Sequence, residues 1–121
     1  MDTQERAQNY PEGYKQLYET LLSAMNRAAT GKGKERHATD APFPQQPICT
    51  ELRQIGVEPA IFQIRKKAME ALRMDCRGAA NELLDVIVYA AAAVIIVKEI
   101  EHATGPTYRL QVRAEAPRGS M

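Results

Sequence analysis

The stretch that decides the fold is VIVYAAAAVIIV, residues 86–97. Its twelve residues include no charged side chain, and the hydroxyl of Tyr89 is the only strong hydrogen-bonding group on their side chains. As an α-helix with a rise of about 1.5 Å per residue it is roughly 18 Å long, too short to span a bilayer. A helix that is apolar all round must be buried on every side, and a chain of 121 residues has few other helices to cover it. We therefore predict an all-α fold of three to four helices around this segment, with a second copy of the chain completing the cover in a homo-oligomer.

The composition fits a single folded domain over residues 1–121. Hydrophobic residues make up 45% of the chain and charged residues 26%, and sixteen Lys and Arg nearly balance fifteen Asp and Glu, which leaves a net charge of +1. A chain this close to neutral has no overall field that attracts nucleic acid or an anionic membrane, so we expect no membrane partner and only secondarily a nucleic acid. Cys49 and Cys76 are isolated in a sequence without a signal-peptide pattern, which predicts a cytoplasmic protein.

Apolar spacing and turn residues divide the chain into helices, a loop and a terminal arm. Apolar residues three and four positions apart predict a first helix over residues 11–29, and the Gly- and Pro-rich residues 30–47 predict a basic loop. A helical core is predicted over residues 48–103. Alternating apolar and polar residues in 107–115 predict a short strand or an extended segment within a C-terminal arm, residues 104–121.

The helical core contains three predicted helices. A short one begins at Pro47 and ends at Gly56, a second covers residues 58–74, and a long third begins at residue 76 with Asp75 as its N-cap and ends near residue 103. In the helix over 58–74 the apolar residues are expected to face the core: Ile61, Phe62, Ile64, Ala68, Met69 and Leu72. The charged residues between them are expected to be more exposed.

A short basic segment, GKGKERH at residues 31–37, is the main candidate for binding chemistry. Its two glycines allow the backbone to approach an anion closely and to present N–H groups to it. Lys32, Lys34 and Arg36 add positive charge, and His37 adds a further donor, so the segment suits a phosphate group. It lacks the G-x-x-x-x-G-K-[ST] pattern of a P-loop. The alternative is a solvated loop that only terminates the first helix.

Further cations and aromatic rings could complete a phosphate site. Lys66 and Lys67 share a predicted helix with Arg73, and Arg77 begins the next helix, so these cations could face one groove or form an ordinary solvated helix face. If the phosphate belongs to a nucleotide, four aromatic residues are candidates for stacking on the base: Tyr14, Tyr18, Phe43 and Tyr89. The two histidines have no metal-ligand spacing, so the preferred hypothesis includes no metal and no cofactor.

Two carboxylates offer a different hypothesis. Glu82 and Asp85 are three residues apart on the long helix, on one face, where they could share a divalent metal ion. Glu82-Leu83-Leu84-Asp85-Val86 resembles the E-x-x-D helix of the all-α nucleoside triphosphate pyrophosphatases of the MazG and dUTPase type. That resemblance implies magnesium and release of pyrophosphate, with a second E-E-x-x-E helix that is reduced here to K-K-A-M-E, so that only Glu70 would join Glu82 and Asp85. In the alternative the two carboxylates pair with Arg77, Lys66 or a neighbouring subunit.

A broader resemblance covers most of the chain. G-K-G-K-E-R-H-A in residues 31–38, P-F-x-x-Q-P in 42–47, K-K-x-x-E in 66–70 and E-L-L-x-x-x-x-Y-x-A-A in 82–92 resemble a group of small phage and prophage proteins. This resemblance implies a viral or mobile-element origin, and hence a host cytoplasm, but no reaction.

The leading functional hypothesis is a non-enzymatic binding protein for a phosphorylated small molecule such as a nucleotide. In a phage protein, such binding would sequester a nucleotide signal of host defence. One alternative is a magnesium-dependent nucleoside triphosphate pyrophosphohydrolase, and another is a protein-interaction or nucleic-acid-binding module.

Overall fold

The computed structural model describes residues 9–30 and 41–110 of the chain. These residues form four α-helices and one short 3-10 helix, and the described part contains no strand. The helices are α1 (Lys15–Ala29), α2 (Pro47–Ile55), α3 (Glu58–Ala71) and α4 (Cys76–Thr104), with the 3-10 helix (Phe43–Gln45) between α1 and α2. The all-α prediction is confirmed. Residues 107–110 of the predicted strand are not a strand, and its remaining residues lie outside the described part.

Glycine and aspartate set most of the helix ends. Gly13 has a φ of 87°, a left-handed conformation that interrupts a helix, and α1 therefore begins at Lys15 rather than at the predicted Pro11. Gly56, with a φ of 99°, ends α2 as predicted. The Asp75 carboxylate accepts a hydrogen bond of 2.8 Å from the amide of Gly78, which confirms it as the N-cap of α4.

The chain leaves α3 three residues earlier than predicted. The amides of Leu72, Arg73 and Met74 donate to carbonyls three residues back, at 3.0–3.2 Å, in place of the four-residue spacing of an α-helix. This tighter turn ends α3 at Ala71 and reverses the chain into α4.

Helix α4 is the centre of the fold, since α1, α2 and α3 all pack against it. The main buried cluster joins α2, α3 and α4, and its members are Cys49, Leu52, Ala60, Ala92, Ala93 and Ile96. From α1, in contrast, only Ala24 is buried. The tightly packed part of the molecule therefore lies on one side of α4, and α1 covers another side less completely.

The predicted inward face of α3 is wrong in part. Ile61, Phe62, Met69 and Leu72 are 46–78% exposed, whereas Ala60 and Ala71 are buried. Ile64 and Ala68 are half-buried, as expected for inward residues. Small side chains on the inner side of α3 let it approach the alanines of α4 closely, and this close packing leaves the larger apolar residues on the outer side.

Candidate functional site

A groove of about 490 Å³ lies between α1 and α4. Its lining is almost entirely apolar and consists of Leu21, Ala24, Met25, Ala28, Ala29, Phe43, Gln46, Ile87, Val88, Ala91 and Ile95. Gln46 is the only polar residue of the lining, and its amide nitrogen donates a 2.8 Å hydrogen bond to the carbonyl oxygen of Ala41. The groove has the size of a small-molecule site and offers contact area to an apolar or aromatic group.

Small residues on both helices create this space. Ala24 and Ala28 of α1 and Ala91 of α4 contribute only methyl groups to the lining, while Leu21 and Ile87 stand among them. Phe43 follows the 31–40 stretch in sequence, packs against the buried cluster and lines the groove as well. An aromatic ring therefore forms part of the wall, where it can stack on a planar ligand.

An ion pair fastens the segment that carries Phe43. Nε and Nη2 of Arg53 donate to the two carboxylate oxygens of Glu99 at 2.8 and 2.9 Å, and Nη2 also donates to the carbonyl oxygen of Pro44 at 3.0 Å. This bidentate contact joins α2, α4 and the 3-10 helix. The hydrogen bond to Arg53 lowers the pKa of Glu99, and the same contact raises the pKa of Arg53.

The basic segment lies between two residues of the groove lining in the sequence. Ala29 and Phe43 both line the groove, and residues 30–42 connect them. The predicted phosphate-binding residues belong to this connection: Lys32, Lys34, Arg36 and His37. These four residues lie outside the described part of the chain.

Glu82 and Asp85 belong to a cluster of four charged side chains. Nε of Arg27 donates to Oδ1 of Asp85 at 2.6 Å and Nη2 of Arg27 to Oδ2 at 3.4 Å. Nζ of Lys67 lies 3.6 Å from Oε2 of Glu82 and 3.7 Å from Oδ2 of Asp85. All four side chains are 14–28% exposed, and the hydrogen bond to Asp85 raises the pKa of Arg27. Two cations thus balance two carboxylates where α1, α3 and α4 meet.

This cluster changes the chemistry expected of the carboxylates. Their partners are Arg27 and Lys67 rather than the expected Arg77 or Lys66, and Glu70 has no contact with the cluster among the ion pairs of the described residues. Within residues 9–30 and 41–110, no group of three or more His, Cys, Asp or Glu is arranged to hold a metal ion. The carboxylates of Glu82 and Asp85 hold three helices together through cations.

The other predicted site residues are dispersed. Lys66, Arg73 and Arg77 are exposed, and none of them lines the groove. Among the predicted stacking residues only Phe43 lines it. Tyr14 is 52% exposed, the ring centroid of Tyr18 lies 4.9 Å from that of Tyr10, and Tyr89 is half-buried on α4.

The sequence contained a signal for the groove that the prediction did not use. The apolar spacing of α1 was used only to predict a helix, although Ala24 and Ala28 are too small to fill the space beside another helix. Arg27 was not predicted either. Its position beside an apolar stripe does not show that it pairs with Asp85, because that contact depends on how α1 packs against α4.

Comparisons with protein families, with curated proteins and with solved structures found no match. None of the described helices is long and apolar enough to cross a membrane.

Proposed function

We propose that this protein binds, without chemical conversion, a phosphorylated small molecule that has an aromatic or apolar portion, such as a nucleotide. The observation that carries the proposal is the apolar groove, because two of its lining residues, Ala29 and Phe43, bracket the basic segment 31–37 in the sequence. A ligand with a planar base and a phosphate matches these two features, which are adjacent in the sequence.

In this proposal the groove binds the base and the basic segment 31–37 binds the phosphate. The groove provides Phe43 and aliphatic walls for the base, and water released from these surfaces favours association. Lys32, Lys34 and Arg36 provide charge for the phosphate, with His37 as a further donor. Lys67 is not part of the proposed site, since its ammonium group lies between Glu82 and Asp85, and Lys66 does not line the groove.

The charged cluster favours binding over magnesium-dependent hydrolysis. A magnesium site needs carboxylates that are free to bind the metal, whereas Asp85 already accepts two hydrogen bonds from Arg27 and lies beside Lys67. The expected phage origin gives the proposal a biological role: we propose that the bound nucleotide is a signal of host defence and that the protein sequesters it.

Calorimetric titration with a panel of mono-, di- and cyclic nucleotides tests the proposal. We expect one class to bind to the wild type and to bind about a hundredfold or more weakly to Lys32→Ala/Lys34→Ala, because hydrogen bonds to charged groups contribute about 1.5–3 kcal/mol each and two are removed. Ala28→Leu should weaken binding as well, because its side chain enters the groove.

Ala103→Leu is the matched control, because this exposed alanine of α4 does not line the groove. It should bind like the wild type. If no nucleotide binds, or if Ala28→Leu and Ala103→Leu have equal affinities, the groove is not the ligand site. Release of pyrophosphate that is lost in Asp85→Asn with the fold intact would instead support the hydrolase.

A further inference from the structure

We propose that a second copy of this chain docks on the apolar face formed by α1 and the open side of α4, in a symmetric dimer. We define this docking face by six residues: Leu21, Met25, Leu83, Ile87, Ala91 and Val94. Four of these six, Leu21, Met25, Ile87 and Ala91, also line the groove, so a docked copy covers the groove opening. The proposal rests on the apolar surface that residues 9–30 and 41–110 of one copy leave exposed, and not on the ligand proposed above.

The open side of α4 is apolar over three turns. Positions 83, 87, 91 and 94 are separated by three or four residues and therefore share one side of the helix. Leu83 is 46% exposed and Val94 51% exposed; between them Ala91 is exposed and Ile87 is half-buried. Among the described residues, the uncharged run of residues 86–97 is therefore covered by α1, α2 and α3 on some sides and is left partly exposed on this one.

Helix α1 extends the same face. Leu21 and Met25 are 48% and 57% exposed, and both line the groove together with Ile87 and Ala91 of α4. The six residues expose on the order of 500 Å² of apolar surface, which is near the upper end for the largest patch of a monomer. Stable dimers bury about 800 Å² on each partner. Tyr14 and Leu17, each 52% exposed on or beside α1, extend the apolar surface toward that area.

The described part of one copy buries few large apolar side chains, which gives a reason for two copies to associate. The buried hydrophobic residues of the described part are five alanines, Cys49, Leu52 and Ile96. Folded domains ordinarily bury their Leu, Ile, Val and Phe side chains, whereas fifteen large hydrophobic residues of this part are exposed. A second copy on the docking face supplies apolar burial that the described part of one copy lacks, and so stabilises the folded state by mass action.

The uncharged centre of the docking face favours a second copy as the partner. In a symmetric dimer each patch meets its own image, so charges of one sign would be brought together. The six residues of the docking face are uncharged, and the exposed Lys98 lies one turn beyond Val94 on the same side of α4. The other exposed apolar surface, the outer side of α3 with Ile61, Phe62 and Met69, also carries exposed Arg65 and Lys66, and its image would oppose cation to cation.

Sedimentation velocity of the wild type and two variants tests the proposal. Val94→Asp places a carboxylate on the docking face, and Leu72→Asp makes a comparable change at a residue that is 78% exposed and outside it. We expect a dimer at micromolar concentration for the wild type and for Leu72→Asp, and a folded monomer for Val94→Asp. A monomeric wild type, or equal dissociation by both variants, would overturn the proposal.

A milder variant covers the case in which Val94→Asp does not fold, as judged by circular dichroism. Val94→Ser keeps the side chain small and uncharged at a half-exposed position, and we expect it to raise the dimer dissociation constant by about tenfold, the effect of losing a central interface contact. Leu72→Ser should leave the dissociation constant unchanged. An unchanged constant in Val94→Ser would contradict the proposal, whatever nucleotide the protein binds.

Discussion

The two sides of α4 use alanine in opposite ways. Toward α2 and α3, Ala92 and Ala93 meet Ala60 in a cluster that also includes Cys49, Leu52 and Ile96, and the space between the helices is filled. Toward α1, alanines of both helices line an open groove of about 490 Å³. Small side chains thus allow close packing where helices approach, and leave a cavity where they do not. We call the packed side, formed by α2, α3 and the side of α4 that they cover, the scaffold. The side toward α1 is the surface available for ligands and partners.

The attachment of α1 differs from that of α3 accordingly. Helix α1 has one buried residue, Ala24, and its polar connection to the scaffold is the contact of Arg27 with Asp85. Helix α3 has two buried alanines, and its Lys67 also contacts Glu82 of α4. The comparison predicts that the α1 side opens before the scaffold does, and the following changes test this difference from the largest effect to the smallest.

The largest difference in stability is expected between aspartate substitutions at two adjacent alanines of α4. Ala92 is fully buried, so Ala92→Asp places an unpaired charge in the scaffold and should destabilise the protein by several kcal/mol, enough to unfold a small domain. Ala91 is exposed and lines the groove, so Ala91→Asp should retain the helical fold and lose dimerisation. Thermal denaturation followed by circular dichroism measures the difference. Similar melting temperatures for the two variants would show that α4 is not buried on one side and open on the other.

A smaller effect is expected from removal of Arg27. Arg27→Ala leaves Asp85 half-buried with Lys67 as its remaining cation, so we expect the free energy of unfolding to fall by about 1.5–3 kcal/mol, the range for hydrogen bonds to charged groups. Hydrogen exchange should show reduced protection in α1 and little change in α2 and α3. Arg65→Ala, at an exposed position of α3, serves as the control and should have little effect. Loss of protection spread evenly over all helices would contradict the weaker attachment of α1.

The sequence predicts the scaffold better than the open side. Local signals identified the ends of α2 and the cap of α4, because Gly56 and Asp75 act on their immediate neighbours. Apolar periodicity failed for α3, because it predicted that Phe62 and Met69 face the core. Close packing against α4 requires small residues on the inner side of α3, such as Ala60. Periodicity reports which residues are apolar, but the neighbouring helix decides which of them are covered.

The candidate site could be predicted only in fragments. Phe43 was identified as a stacking residue, and the structure places it in the groove lining. Lys67 was identified as a cation for phosphate, but it contacts Glu82 and Asp85. These pairings depend on how α3 and α1 lie against α4, and no spacing within a single segment encodes that arrangement.

The smallest expected effect concerns the ion pair that fastens Phe43 to the scaffold. The pKa of Glu99 is lowered by its hydrogen bonds from Arg53, so the pair stabilises the folded state above the ordinary pKa of a carboxylic acid, and this contribution is lost as the pH falls through the lowered pKa. The melting temperatures of the wild type and Glu99→Gln should therefore differ most near neutral pH and converge below about pH 4. The side chains are 37% and 44% exposed, so salt should reduce the difference. Glu101→Gln, exposed on the same helix and outside this pair, is the matched control. If Glu99→Gln and Glu101→Gln follow the same pH profile, the contact with Arg53 does not hold the 3-10 helix and Phe43 against α4, and the groove lining depends on apolar packing alone.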